Sequence, residues 1–103
     1  AAQSLRAMRT PLLLVTGGRD QQLPPGSHVH PMKHLLPADS RYHEIDDAQH
    51  FSFLPLCGDG AIELLAESNE AFVCQEFGIR SRQQIHAETL QVITEFLGRL
   101  NVL

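Results

Sequence analysis

An α/β arrangement, two parallel strands joined by a crossover helix and followed by a C-terminal helix, is expected of this 103-residue chain. Three features carry that expectation. Thr10-Pro11-Leu12-Leu13-Leu14-Val15-Thr16 is a short apolar run without alternation, which suits a strand buried on both faces. Residues 27–37 place apolar side chains at helical intervals ahead of Arg41-Tyr42-His43-Glu44-Ile45, a second strand-sized stretch. Residues 85–100 then repeat apolar positions at the spacing of one helix face.

Taken in order, the first strand opens at Pro11 and closes at Gly17-Gly18, and a polar, proline-containing connection runs from Gln21 to Gly26. Ser27 is placed to cap a short helix marked by Val29, Met32, Leu35 and Leu36, with Pro31 in its first turn and Pro37 ending it. Ala38-Asp39-Ser40 leads into the second strand, anchored by Tyr42 and Ile45. Asp47 to Leu56 reads as a loop, made unusually apolar by Phe51, Phe53 and Leu54. Ala61-Ile62-Glu63-Leu64-Leu65-Ala66-Glu67 is rich in helix formers, and beyond Ser68-Asn69-Glu70 a short turn carries Ala71-Phe72-Val73. Ser81 and Gln84 have capping-box spacing, and Ile85, Val92, Ile93, Phe96, Leu97 and Leu100 define a last helix expected to run through Leu103.

Two parallel strands cannot bury two faces alone, because parallel strands belong to larger sheets covered by helices on both sides. Residues 1–103 are therefore expected to be the C-terminal segment of one larger domain, incomplete by itself and completed by upstream residues, a companion chain or a swapped assembly. Ala1-Ala2-Gln3-Ser4-Leu5-Arg6 has no initiator Met and no signal-peptide pattern, which also fits the middle of a longer protein.

Composition narrows the function classes. A hydrophobic fraction of 43% against 19% charged residues is that of a globular chain and not a disordered one. No apolar run approaches the roughly 18 residues of a membrane span, so none is expected. With 12 acidic against 8 basic residues, a net charge of −4 and no Lys/Arg cluster, the chain has nothing to neutralise a line of phosphates, and no nucleic-acid partner is expected.

Asp20, just past the first strand, and His50, in the loop after the second, are the informative pair. Ligands of open α/β sheets gather at the carboxyl ends of the strands, and adjacent strands bring these two side chains to one rim. A carboxylate there accepts the Nδ1 proton of the imidazole and fixes its tautomer, leaving Nε2 to take a proton from a nucleophile. Asp46 and Asp47, close to His50 in sequence, are the alternative acids. His28, His30 and His34 form a His-x-His-x-x-x-His cluster that suggests zinc, against which stands a plain reading as exposed histidines; no metal or cofactor is expected. His43 and His86 have no evident partner and are assigned to a strand face and a helix surface. Phe51, Phe53 and Leu54 line a substrate pocket in one reading and pack beneath the loop in the other. Cys57 and Cys74 are either a disulfide bracketing Gly58 to Val73 or two reduced buried thiols.

Local motifs sharpen this. Gly17-Gly18-Arg19-Asp20-Gln21-Gln22-Leu23-Pro24 has the Gly-x-x-Asp-x-x-x-Pro pattern that brings in the acid of α/β-hydrolases, and Asp46-Asp47-Ala48-Gln49-His50-Phe51 resembles the stretch that brings in their histidine, in the same acid-before-histidine order. Gln49 stands where a glycine is common. His50-Phe51-Ser52-Phe53-Leu54-Pro55-Leu56-Cys57, the later Cys74 and a final amphipathic helix resemble the C-terminal part of the dienelactone hydrolase-like serine esterases, over about Pro11 to Leu100. The resemblance implies a serine hydrolase acting by two-step acyl transfer on a small-molecule ester or related acyl bond, with Asp20 as acid and His50 as base. It also implies a Cys57–Cys74 disulfide and hence a periplasmic or secreted location over a cytoplasmic one. The nucleophile of such enzymes sits in an upstream Gly-x-Ser-x-Gly elbow, and no serine of this chain has that context; Ser27, in Pro25-Gly26-Ser27-His28, follows Asp20 in the wrong order. The chain alone is therefore expected to be inactive. The competing expectation is a non-catalytic binding or assembly module that keeps Asp20 and His50 without a usable serine.

Overall fold

The computed structural model describes residues 2–102. The order is α1 (Ala2–Ala7), β1 (Leu13–Gly17), α2 (Pro25–His28), a 3-10 turn at His30–Leu35, β2 (Arg41–Ile45), a second at His50–Phe53, α3 (Ala61–Ala66), a third at Ala71–Cys74, and α4 (Arg82–Arg99). β1 and β2 pair in parallel, from Leu13 opposite Arg41 to Gly17 opposite Ile45, as a two-stranded sheet. The chain is thus a small α/β protein with the expected crossover.

The second strand falls where the sequence places it. The first begins at Leu13, two residues after Pro11, once the Leu12 N–H is held by the Ser40 hydroxyl at 2.9 Å and the Leu12 carbonyl accepts from the Arg41 N–H at 2.9 Å. The crossover departs further from expectation. One helix capped by Ser27 is replaced by two short pieces: Pro24 occupies the cap position, Pro25 the first helical position where a missing N–H costs little, and the helix stops at Val29. Pro31 has no N–H to bond backwards, so the chain tightens into 3-10 geometry instead of continuing. Ser27 lies inside α2, its hydroxyl donating to the Pro24 carbonyl at 3.4 Å. The short α1 was not anticipated, and it buries none of its residues.

α4 starts as the capping box requires, the Gln84 N–H donating to Ser81 Oγ at 3.2 Å and the Ser81 N–H to Gln84 Oε1 at 2.8 Å. It ends at Arg99 and not at Leu103, because Asn101 turns left-handed (φ 59°) and the Val102 N–H returns to the Leu97 carbonyl at 3.1 Å.

The core is small: Ile45, Ala48 and Ile85 are fully buried, with Val15 packed against them. Leu13, Leu14 and Val15 are only half-buried, in contrast to the double-faced burial expected of an interior strand. On α4, Ile85 and Phe96 are buried while Leu90 and Ile93 remain 64% and 39% exposed. The accessible surface of 6965 Å² exceeds the roughly 5800 Å² of a compact monomer of this mass. The radius of gyration of 15.9 Å exceeds the roughly 13 Å of a compact chain of this length. Apolar surface on β1 and α4 stands open.

Candidate active site

The end of β1 is pressed onto the turn that follows β2. A Cβ on Gly17 would lie 2.6 Å from the Ala48 carbonyl oxygen, and one on Gly18 would lie 2.7 Å from that of Asp46, so both positions need a residue without a side chain. This close approach lets the Gly18 N–H donate to the Ile45 carbonyl at 2.8 Å and the Arg19 N–H to the Ala48 carbonyl at 2.9 Å. The two loops are thereby fixed to each other just before they deliver Asp20 and His50.

Asp20 Oδ1 accepts the N–H groups of Gln22 at 2.9 Å and Leu23 at 2.8 Å, which sets the carboxylate plane. Oδ2 lies 2.9 Å from His50 Nδ1. Burial works to raise the Asp20 pKa, but the Leu23 N–H, the hydrogen bond and charge of His50 and the Gln22 N–H together hold it below the usual carboxylate value. An ionised Asp20 only accepts, so Nδ1 of His50 carries the proton and Nε2 presents its lone pair in the neutral ring. Nε2 has no hydrogen-bond partner among the described residues. The Asp20 side chain is 9% exposed and that of His50 32%, a shielded acid behind an accessible imidazole.

The turn that carries His50 is held by a polar clasp that sequence reasoning missed. The Gln49 N–H donates to Ser52 Oγ at 2.8 Å, and Gln49 Oε1 accepts the Phe51 N–H at 3.1 Å. The Gln49 amide then donates to the Gln75 carbonyl at 2.8 Å, so Gln49 closes the loop. The Ser52 hydroxyl donates to Glu76 Oε2 at 2.5 Å, Arg82 Nε donates to Glu76 Oε1 at 2.7 Å, and Arg82 Nη2 donates to the Val73 carbonyl at 2.7 Å. His86 Nε2 donates to the Ser52 carbonyl at 2.9 Å. Among the described residues, no buried side-chain nitrogen or oxygen lacks a partner. One signal was available: Arg82 sits in the first turn of α4, where a cation opposes the helix dipole and needs a carboxylate such as Glu76 to justify it.

The other candidates have other partners. Asp47 faces Arg80, at 2.6 Å from Nη2, and that hydrogen bond holds its pKa at about 2. Arg80 also donates to Glu88 at 2.7 Å, whose second oxygen accepts from His43 at 2.6 Å. Asp46 is exposed. His30 donates to Glu44 at 3.0 Å, His28 shares a 3.0 Å hydrogen bond with Ser27, and His34 is exposed. No group of three or more His, Cys, Asp or Glu able to hold a metal occurs among the described residues.

Cys57 and Cys74 are joined by a disulfide, which closes a loop containing α3 and the 3-10 turn of Phe72. On the chain-entropy model a closure of this size is worth about 3 kcal/mol. No described helix is long and apolar enough to cross a membrane.

Two cavities meet at His50. One, of about 220 Å³, is walled by Phe51, Phe72 and Phe77, with Arg19, Gln21 and Gln22 among its polar lining. The other, of about 460 Å³, runs along Leu14, Val15, Thr16 and Gly17 to Asp20 and also touches Phe53. Its other side is formed by Leu23, His28, Val29 and Met32 of the crossover. Of the expected pocket residues, Phe51 and Phe53 thus border different cavities, and Leu54 is exposed and lines neither. No family model matches the chain, and no curated protein or solved structure shows significant similarity to it.

Proposed function

We propose that this chain is the C-terminal part of an α/β-hydrolase-type serine hydrolase that cleaves a small-molecule ester or related acyl bond. The observation that carries the reading is the Asp20–His50 pair: a carboxylate fixed by two backbone N–H groups, hydrogen-bonded at 2.9 Å to Nδ1 of an imidazole whose Nε2 has no partner among the described residues. The pair stands at the carboxyl ends of two parallel strands, where such folds assemble their sites.

In this reading His50 Nε2 takes the proton of a serine hydroxyl as the serine attacks the acyl carbon, and returns it to the leaving alcohol as the tetrahedral adduct collapses. It then activates water in the same way to release the acid. Asp20 keeps the ring oriented and stabilises the imidazolium in each half-reaction. The serine belongs to polypeptide outside this segment, upstream in the same protein or in a companion chain. Among the described residues β1 pairs only with β2, and its carboxyl end leads to Asp20, which supports delivery of the nucleophile by a strand paired on its other edge. Ser52 is unsuited to the role because it is buried with its hydroxyl committed to Glu76. The Cys57–Cys74 bond supports an oxidising compartment, periplasmic or secreted.

Treatment of the natural full-length protein with a fluorophosphonate probe tests this. The expected result is one covalent adduct on a serine outside residues 1–103, lost in His50→Ala. A folded full-length protein that takes no label would reassign the segment to a non-catalytic binding module.

A further inference from the structure

We infer that the 220 Å³ cavity beside His50 receives the substituent of the leaving alcohol and selects a planar aromatic one, with Phe72, carried on the disulfide-closed loop, as the specificity-determining residue. This rests on the proposed hydrolase reading. The group that protonates a leaving alcohol must lie within hydrogen-bond reach of its oxygen, so the alcohol's substituent extends into space adjoining the imidazole. Of the two spaces that adjoin His50, the larger runs between β1 and the crossover residues His28, Val29 and Met32 and is lined mainly by aliphatic side chains. The smaller is the one at which three phenylalanines gather.

Three phenylalanines from separate places line it, beside the polar side chains of Arg19, Gln21, Gln22 and Gln49. The Phe51 ring meets the His50 ring edge-on, with centroids 5.0 Å apart and planes at 90°, and the Phe72 ring lies 5.8 Å from Phe51. Phe77 closes a third side, its carbonyl accepting from Arg19 Nη1 at 2.9 Å. Phe72 is 41% exposed and takes no part in the small core, so core packing does not explain its position.

The backbone beside Phe72 is unusually well fixed. Each of the next four residues is anchored: the Val73 carbonyl by Arg82, Cys74 by its disulfide to Cys57, the Gln75 carbonyl by the Gln49 amide, and the Glu76 carboxylate by Ser52 and Arg82. Two of these anchors, Gln49 and Ser52, flank His50 itself. The backbone that carries Phe72 is therefore tied to the turn that carries His50, and its ring meets Phe51 at a tilt of 58° on the cavity wall.

The test compares kcat/KM for benzyl acetate and ethyl acetate in the full-length protein, since the two leaving alcohols have similar acidity and differ mainly in the ring. Wild type is expected to prefer benzyl acetate. Phe72→Ala lowers that preference by about five- to tenfold, the scale of one lost aromatic contact with its buried area. Phe72→Leu, which retains the bulk, falls between, and Cys57→Ser/Cys74→Ser moves the preference the same way by loosening the wall. A benzyl-to-ethyl ratio unchanged in both Phe72 variants overturns the inference. If neither ester is hydrolysed and no serine takes a fluorophosphonate, the hydrolase reading fails separately. In that case, benzyl alcohol binding weakened about fivefold by Phe72→Ala still supports the aromatic pocket, and absence of binding overturns it.

Discussion

The loop that carries His50 and the strand that leads to Asp20 differ in how far this chain completes them. Around His50, Gln49, Ser52, Glu76, Arg82 and His86 satisfy one another through side-chain hydrogen bonds. Along β1, the leucines and valine of an apolar strand are left half-buried, and among the described residues the strand pairs only with β2. The difference is one of physics. Hydrogen bonds are directional and saturable, so a handful of residues can close a polar network. Hydrophobic burial scales with area, and two strands with four helices offer too little of it. Residues 2–102 therefore fix the geometry of Asp20 and His50 more completely than they bury their apolar surface.

The polar side of this comparison breaks most severely at Arg82. The Arg82–Glu76 pair is 6% and 9% exposed, and truncating the arginine leaves a carboxylate buried beneath the His50 turn. Arg82→Ala is expected to cost about 3–5 kcal/mol in urea unfolding of the full-length protein. A loss below about 1 kcal/mol, the range of a surface pair, would show that the clasp is dispensable.

The junction between the two regions is tested at Gly17. A methyl there meets the Ala48 backbone at 2.6 and 2.9 Å, contacts that only movement of β1 against the His50 loop can relieve. Gly17→Ala is expected to destabilise by about 1–3 kcal/mol and to lower activity through displacement of Asp20 from His50. A variant with wild-type stability and turnover would mean that the close approach is unnecessary.

The smallest effect separates the buried clasp from the more exposed ion network of Asp47, Arg80, Glu88 and His43. The hydrogen bond from Arg80 lowers the Asp47 pKa from 3.8 to about 2. Glu88 is lowered too, first by its hydrogen bond from His43 and then by Arg80. Because folded-state pKa values below the unfolded ones stabilise the fold when the carboxylates are ionised, this contribution is present above about pH 4 and disappears as pH falls through about 2. With solvent screening it amounts to about 1 kcal/mol. Arg80→Gln should therefore lower the urea midpoint at pH 7 and converge with wild type near pH 2. A constant offset across that range would remove the network from the acid response.

Parts of this architecture were legible in the sequence. The β2 boundaries, the Ser81–Gln84 start of α4 and the convergence of Asp20 with His50 follow from local pattern and from the rule that parallel strands present their carboxyl ends together. What was not legible depends on longer-range or competing terms. Pro31 split the crossover helix although its apolar spacing was helical. Asn101 ended α4 early although apolar residues continue beyond it. Three hydrogen bonds of the clasp, Gln49 to Gln75, Ser52 to Glu76 and His86 to Ser52, join residues 24 to 34 positions apart, and no periodicity announces such a bond. Phe72 entered the site through a disulfide-closed loop and not through its neighbours in sequence.

The central claim, that Asp20 and His50 act as one unit on a serine supplied from outside this segment, is tested most directly by a double-mutant cycle on ester hydrolysis by the full-length protein. Asp20→Asn and His50→Ala are each expected to lower kcat/KM by about 10²- to 10⁴-fold, and the double variant to lose little beyond the worse single one, because groups that work as a unit are non-additive. Independent, multiplicative losses, or an Asp20→Asn variant within a few-fold of wild type, would contradict it.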